Sequence, residues 1–215
     1  MRRDTSRSDF APCIDTSITT AVEVMRSGGV VAFPTDTFYG LGVDPFNEDA
    51  VRSIFRIKGR PVDSPVPILL GEMDDLRLVS TQPTMEVYKL AMAFWPGALT
   101  LVLQSVHELP DVVSAGAGTV GVRVPDHAVP RDIARSFGGP VTGTSANISG
   151  QEPLKTADEV RLAFGDTIDF IVDGNCGAHS QASTVVDFSV APPVVRRHGA
   201  IPLDSLQRIC TDIVG

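Results

Sequence analysis

The sequence predicts an α/β fold, with a single domain built on an open, twisted, mixed sheet that is partly antiparallel. The chain has 215 residues, 43% of them hydrophobic, which suits one large core. Segments with the apolar period of helices occur among short apolar runs typical of strands, but the two types do not alternate strictly. No repeat, low-complexity run or long linker separates them into two domains.

The first half of the chain is predicted to form three helices and three strands. Apolar residues at helical spacing in 18–25 are followed by Gly28-Gly29, and glycine tolerates the left-handed end of a helix. Asn47 is a suitable N-cap for a helix that Gly59 ends. The uniformly apolar run 99–103 is typical of a central strand. The predicted order is helix 18–25, strand 30–33, helix 47–59, strand 66–70, helix 84–94 and strand 99–103.

The second half is predicted to contain more strands than helices. Thr156 and Glu159 have the Thr-x-x-Glu spacing of a capping box, which places a helix start there. Pro202 suits the first turn of a terminal helix. The predicted order is strand 120–124, helix 130–137, strand 141–145, helix 156–164, strands 168–172, 184–188 and 194–197, and a helix from 202 to about 210.

Composition excludes several classes of protein. Acidic residues outnumber basic ones by 26 to 18, so the chain is a poor candidate for gripping nucleic acid by charge alone. Three cysteines at unrelated spacings support neither a disulfide framework nor a zinc site. No apolar run approaches the roughly 20 residues of a membrane span. We therefore expect a cytoplasmic protein without a membrane partner, with a disordered segment at residues 1–12 and one domain over 13–215.

Three polar clusters interrupt the apolar pattern at the ends of predicted elements, where α/β proteins commonly bind ligands. Residues 34–42 hold two threonines and an aspartate, which suit a small polar ligand or, more simply, a turn that satisfies its own backbone. Residues 58–61, Lys-Gly-Arg-Pro, suit a phosphate group or compensate the dipole of a helix end. Residues 142–150 offer small donors for a phosphate, or form an ordinary serine-rich turn. Spacing alone leaves these alternatives open.

Six motifs, the three clusters among them, resemble in their order the YrdC-like family of threonylcarbamoyl-adenylate synthases. One short motif would be weak, but six in order between about residues 18 and 203 are specific. The motifs are Pro34-Thr35-Asp36-Thr37-Phe38-Tyr39-Gly40-Leu41, Lys58-Gly59-Arg60-Pro61, Phe94-Trp95-Pro96-Gly97-Ala98-Leu99-Thr100, Val122-Arg123-Val124-Pro125-Asp126-His127, Ser145-Ala146-Asn147-Ile148-Ser149-Gly150 and Ser183-Thr184-Val185-Val186-Asp187.

The resemblance implies a large concave cleft and an ATP-dependent reaction, catalysed by a nucleotidyltransferase. Bicarbonate or carbon dioxide captures the amino group of L-threonine, and the carbamate attacks the α-phosphate of ATP and releases pyrophosphate. The product serves threonylcarbamoyladenosine formation in tRNA, so a downstream threonylcarbamoyl-transferase complex is an expected partner. Mg²⁺ is expected with ATP, held mainly by phosphates and water. We expect no metal site of the protein itself, since the four histidines lack metal-ligand spacing and fit surface or turn positions.

The resemblance also implies roles for individual residues. Lys58 and Arg60 would be catalytic and face the phosphates. The residues implied for ATP are Lys58, Arg60, Ser64, Thr119, Ser145, Asn147 and Arg197. The residues implied for L-threonine are Thr35, Thr37, Arg123, Gly143 and Ser183. Because Arg123 lies between apolar neighbours on a predicted strand, its side chain should point to the other face, into the cleft or into solvent.

The sequence departs from the family's pattern at four positions in these pockets. Ser64 replaces an asparagine, Leu69 a histidine of the threonine site, Ala182 a glutamate and Pro153 a serine. These changes leave open a YciO-like paralogue that keeps the ATP site and uses a different acceptor. Two further alternatives are transfer of an unsubstituted carbamoyl group, as in the related domain of hydrogenase-maturation proteins, and a module that binds RNA or tRNA weakly through a local basic patch.

Overall fold

The computed structural model describes residues 16–81, 83–177 and 181–215. The segment predicted to be disordered, residues 1–12, lies outside the described residues, as do Cys13 and His179. Within those ranges there are seven α-helices, and 3-10 helices lie at Met73–Leu78 and Gly165–Thr167. The α-helices are α1 (Thr16–Arg26), α2 (Glu48–Lys58), α3 (Met85–Phe94), α4 (Asp111–Ser114), α5 (Ala128–Phe137), α6 (Ala157–Phe164) and α7 (Leu203–Gln207).

Ten short strands form two open sheets in the described part of the chain. The strands are β1 (Val31–Phe33), β2 (Gly40–Gly42), β3 (Ile68–Leu69), β4 (Leu99–Gln104), β5 (Thr119–Arg123), β6 (Val141–Thr142), β7 (Thr144–Ser145), β8 (Phe170–Ile171), β9 (Thr184–Asp187) and β10 (Val194–Arg197). The smaller sheet has the order β7-β2-β1-β8 and the larger β10-β9-β4-β5-β3-β6. Both mix parallel and antiparallel pairs. The predicted open, mixed α/β class is confirmed, with two sheets where the sequence suggested one.

Local signals in the sequence set the helix ends. Asn47 Oδ1 accepts a hydrogen bond from the backbone of Ala50 at 3.1 Å, and Gly59 ends α2 with φ +58°. The capping box at the start of α6 is formed in both directions, by Thr156 and by Glu159. Asparagine and threonine at these positions satisfy backbone donors that the first turn of a helix leaves free.

The chain crosses from the larger sheet to the smaller at Gly143, so the predicted strand 141–145 is in fact two strands. The Gly143 backbone donates to Pro67 O at 2.8 Å, and a Cβ at this position would lie 2.3 Å from Leu69 Cγ. Because no side chain fits here, glycine allows the backbone to pass directly over Leu69. The crossing leaves β6 at the edge of the larger sheet and β7 at the edge of the smaller one.

Two elements were not expected from the sequence. The strand β2 consists of Gly40, Leu41 and Gly42, and glycine has a low preference for strands. Its central residue is nevertheless buried, and β2 pairs with both β1 and β7. The short helix α4 was also missed. In the smaller of two buried apolar clusters, α1 packs against α5 and against Phe33 of β1.

Candidate functional site

A cavity of about 400 Å³ is lined by residues of both sheets and of the loops between them. Its volume falls within the roughly 300–1,000 Å³ that is usual for small-molecule sites. The β4 residues Thr100 and Val102 face it, while Leu99, Leu101 and Leu103 between them are buried in the core. Since side chains alternate between the faces of a strand, one face of the larger sheet forms the cavity floor and the other forms the core.

Three arginines line this cavity, and no aspartate or glutamate is among its described lining residues. Arg60 follows α2, Arg123 ends β5 and Arg197 ends β10. The protein as a whole has a net charge of −8, so this concentration of positive charge runs against the composition of the chain. Guanidinium groups bind phosphates and carboxylates through paired donors, which makes the cavity a site for a ligand with several negative charges.

The side chain of Arg123 lines the cavity and is buried from bulk solvent, as the cleft-facing alternative predicted. It forms a buried ion pair with Asp36. Its Nη2 lies 3.2 Å from Asp36 Oδ1, and Nη1 donates to Oδ2 at 3.3 Å. The two residues are 7% and 1% exposed. Burial lowers the pKa of Arg123, the charge of Asp36 opposes this, and Arg197 adds to the lowering. Asp36 Oδ1 accepts no well-aligned hydrogen bond from any described residue.

Arg197 is held at the cavity rim by Ser183. Its Nε donates to the backbone oxygen of Ser183 at 3.0 Å and its Nη2 to Ser183 Oγ at 2.9 Å. Ser183 Oγ also lies 2.8 Å from Thr100 Oγ1, at the start of the next strand. This chain of contacts fixes the direction of the guanidinium without neutralising it.

Arg60 is the least constrained of the three arginines. Its one hydrogen bond within the described structure is a long one, from Nη2 to Pro65 O at 3.4 Å. Burial lowers its pKa, and the charge of Asp63 opposes the change. A guanidinium with so few internal partners has most of its donors available for a ligand.

Lys58 is buried against the loop that follows β7. It is 3% exposed and is not among the lining residues of the cavity. Its Nζ donates to Ser145 O, to Asn147 O at 2.9 Å and to Asn147 Oδ1 at 3.1 Å. Burial, with a smaller contribution from Arg60, lowers the pKa of Lys58 to about 8.

The loop after β7 is therefore attached to the end of α2. Besides the Lys58 contacts, the Ser149 backbone donates to Lys58 O at 2.9 Å. Asn147 uses its whole amide internally: Nδ2 donates to Ile148 O and Gln151 O, and Oδ1 accepts from Lys58 and from Ser145 Oγ. Asn147 shapes the loop and has no donor left for a ligand. Ser145 still lines the cavity.

In the threonine–aspartate cluster, Thr35 forms the turn of the simpler interpretation, Thr35 and Thr37 also line the cavity, and Asp36 pairs with Arg123 instead of with its own backbone. Thr35 Oγ1 donates to Phe38 O at 2.7 Å and accepts from the Thr37 and Phe38 backbones. Gly177 closes behind this turn, with its backbone donating to Thr35 O at 2.9 Å.

Nine of the twelve residues predicted for ATP and threonine line the cavity; Lys58, Ser64 and Asn147 do not. Ser64 lies on the following turn, with Oγ 3.4 Å from Asp63 Oδ1. Thr100 and Thr144 also line the cavity; both lie within the motifs and clusters found in the sequence, but neither was assigned to a ligand. Strand alternation on β4 could have indicated Thr100, but only the crossing at Gly143 shows the side to which Thr144 is turned.

The described residues offer no resident metal site. They contain no cluster of three or more metal-ligating side chains, and the cavity lining has no carboxylate.

The fold and the cavity define an α/β protein with an arginine-lined cleft for a polyanionic ligand. The protein family described as "Telomere recombination" (Sua5, YciO, YrdC) matches residues 23–199. The chain belongs to the Sua5/YciO/YrdC family. No helix among the residues with described structure is long and apolar enough to cross a bilayer.

Individual relatives agree with this assignment. The threonylcarbamoyl-AMP synthase of Pyrococcus abyssi is 38% identical over 193 residues, which are 90% of this chain and 57% of that protein. The threonylcarbamoyl-AMP synthase of Marinobacter nauticus is 34% identical over 185 residues, which are 86% of this chain and 95% of that protein. The crystal structure of P. abyssi Sua5 complexed with L-threonine superposes with a TM-score of 0.88 at 37% identity, over 92% of this chain and 58% of that one. The crystal structure of E. coli YciO superposes with a TM-score of 0.78 at 27% identity, over 88% of this chain and 92% of that one. The chain thus spans little more than half of the P. abyssi protein.

Proposed function

We propose that the protein is an L-threonylcarbamoyladenylate synthase, which forms threonylcarbamoyl-AMP and pyrophosphate from L-threonine, bicarbonate or carbon dioxide, and ATP. The observation that carries the proposal is the group of three arginines in the cavity lining, of which Arg60 and Arg197 make no ion pair with a described residue, inside a chain of net charge −8. A triphosphate and an amino-acid carboxylate together need such a site. Relatives of 34–38% identity that are named threonylcarbamoyl-AMP synthase support it.

The positions of the arginines suggest a division of the cavity. Arg60, with most of its donors free, would bind phosphate oxygens, and Arg197 would bind them from the opposite rim. Arg123, on the floor beside Leu69, would bind the carboxylate of the amino acid through two parallel hydrogen bonds. Hydroxyl groups of Thr119 and Ser145 line the nucleotide side. Lys58 and Asn147 act as positioning residues that hold the loop carrying Ser145.

The reaction requires the protein to position the reactants and neutralise their charge more than it requires a strong base. The threonine nitrogen forms a bond to the carbon of bicarbonate and water is lost, which gives a carbamate. A carbamate oxygen then bonds to the α-phosphorus of ATP, and the bond to the bridging oxygen breaks, so that pyrophosphate leaves with the electron pair. Collecting three reactants in one cavity removes a large entropic part of the barrier, and the arginines stabilise the charge on the leaving group.

The remaining expectations belong to the same proposal. Mg²⁺ would accompany ATP, and the adenylate would pass to a threonylcarbamoyl-transferase complex acting on tRNA in the cytoplasm. The net charge of −8 weighs against RNA binding as the main function, since phosphate contacts supply most non-specific affinity.

A second candidate is a YciO-like enzyme that uses the same ATP site with another acceptor. Leu69 favours it, because this apolar side chain packs beside Arg123 where the family pattern has a histidine. Leu69 also packs against the Gly143 backbone, which leaves the amino-acid end of the cavity less polar.

The test is pyrophosphate release by the purified full chain with ATP, Mg²⁺, bicarbonate and each amino acid in turn. The proposal expects release that depends on L-threonine and on bicarbonate, and that falls at least tenfold in Arg60→Gln but not in the exposed control Arg77→Gln. Release with another amino acid alone would favour the second candidate, and Leu69→His should then increase the rate with threonine. No release with any amino acid would overturn both.

A further inference from the structure

A second concavity lies on the solvent side of α2, and it shares a single lining residue, Arg60, with the main cavity. This feature, the α2 groove, is open to solvent. Its lining residues are Asp49, Arg52, Phe55, Arg56, Gly59, Arg60, Pro61 and Val62. Arg60 therefore stands between the two spaces and can contact an anion on either side.

The α2 groove carries three arginines and one carboxylate. Arg52 and Arg56 are one helical turn apart, and Arg60 follows at the same interval just beyond the end of α2. Residues four apart lie on the same side of a helix, so Arg52 and Arg56 are neighbours on the surface of α2. Arg60 follows the left-handed Gly59 and lines both the groove and the main cavity.

Two of these arginines make no ion pair with a described residue, although the charge of Asp63 acts on Arg60. Arg52 is paired with Glu48, with Nε 2.9 Å from Oε1. Arg56 makes one described side-chain hydrogen bond, from Nη2 to Ser53 Oγ at 2.7 Å, and Arg60 makes only its long bond to Pro65. Neither Arg56 nor Arg60 forms an ion pair within the described residues. Their charges are available to a ligand.

The groove floor is apolar, because Phe55, Pro61 and Val62 contribute to it. Because the groove is open to solvent, salt screens its charges, and an anion held there by guanidinium groups should bind most tightly at low ionic strength. The site suits a small, densely charged anion that Arg60 can bind first in the main cavity and then in the groove.

We propose that the α2 groove is a second binding site for a diphosphate group, and that its ligand is the pyrophosphate released by the reaction. This inference rests on the proposed function. The bond that breaks in that reaction lies next to phosphates bound by Arg60, so the product starts at the only residue common to both spaces. Pyrophosphate drawn to Arg56 leaves the adenylate, which disfavours the reverse reaction. The groove then serves product release.

The test is calorimetric titration of pyrophosphate into the full chain at low salt, with the main cavity saturated by a non-hydrolysable ATP analogue and L-threonine. Wild type should still bind pyrophosphate, Arg56→Gln should bind it about five- to tenfold more weakly, and the difference should shrink as salt is added. Arg77→Gln removes an equal charge outside the groove and should match wild type. Inorganic phosphate should bind more weakly than pyrophosphate.

Several results would overturn the proposal. One is loss of pyrophosphate binding once the analogue fills the main cavity, and another is equal affinity in wild type and Arg56→Gln. ATP binding in the groove as tightly as pyrophosphate would assign it to nucleotides and also contradict the proposal. If Arg56→Gln melts early, Arg56→Lys provides a second variant, because it keeps the charge and loses the planar fork of donors. Failure of the proposed function would appear separately, as absent turnover, because these titrations require no reaction.

Discussion

Lys58 provides a quantitative test of the site's construction, because its ammonium group is buried among backbone acceptors. The pKa of about 8, compared with 10.5 for an ordinary lysine, corresponds to roughly 3 kcal/mol of unfavourable free energy for the charged form in the folded protein. Between these two pH values the unfolded chain holds a proton that the folded chain has lost. The free energy of unfolding should therefore rise with pH across this window.

The expected rise from pH 7.5 to 9.5 is roughly 2 kcal/mol from Lys58 alone. Burial raises the pKa of Cys176 from its ordinary value, so this thiol acts in the opposite direction toward the upper end of the range. The pKa of Tyr39 is raised to about 12, which lies above the window. Wild type must therefore be compared with Lys58→Met, in which these other groups are unchanged.

The assay is urea unfolding at pH 7.5, 8.5 and 9.5, followed by fluorescence of Trp95, the single tryptophan of the chain. The stability of wild type relative to Lys58→Met should increase by roughly 2 kcal/mol over this range. Parallel pH dependences in the two proteins would show that burial does not lower the pKa of Lys58.

Three further changes test the cavity. Gly143→Ala should lower the free energy of unfolding by roughly 1–3 kcal/mol because the new Cβ would lie 2.3 Å from Leu69 Cγ. Adding Leu69→Ala in the same chain should recover most of that loss in thermal melts, and additive losses from the two substitutions would contradict the contact. Asp36→Asn should cost about 3–5 kcal/mol by leaving Arg123 buried without a counter-charge, whereas Glu48→Gln, which breaks the exposed pair with Arg52, should cost under ~1 kcal/mol; equal losses in urea unfolding would argue against the buried pair. Arg60→Lys should weaken binding of an ATP analogue about tenfold by losing the planar fork of donors, with Arg77→Lys as control; unchanged affinity would remove Arg60 from the phosphate site.

Local patterns in the sequence were sufficient for most elements of the fold. Asn47, Gly59 and the Thr156–Glu159 pair act on backbone groups within a few residues, and the structure places all of them at the expected helix ends. The strand β2 was missed because Gly40 and Gly42 have no preference for strands, and its formation depends on pairing with β1 and β7.

The site was predicted less completely because its contacts join distant parts of the chain. Lys58 Nζ meets acceptors 87 and 89 residues away, so nothing near residue 58 indicates that its charge is already satisfied. Asn147 has the donors expected of a ligand-binding amide, but only the folded loop shows that they are used internally. The ion pair of Arg123 with Asp36 likewise spans 87 residues.

The most direct test of the proposed reaction is mass spectrometry of the nucleotide product formed from ATP, L-threonine and carbon-13 bicarbonate. We predict threonylcarbamoyl-AMP that carries the label in its carbamoyl carbon, formed together with pyrophosphate and absent when threonine or bicarbonate is omitted. A nucleotide product without the label, or unchanged ATP under conditions in which the protein binds an ATP analogue, would contradict the proposed function.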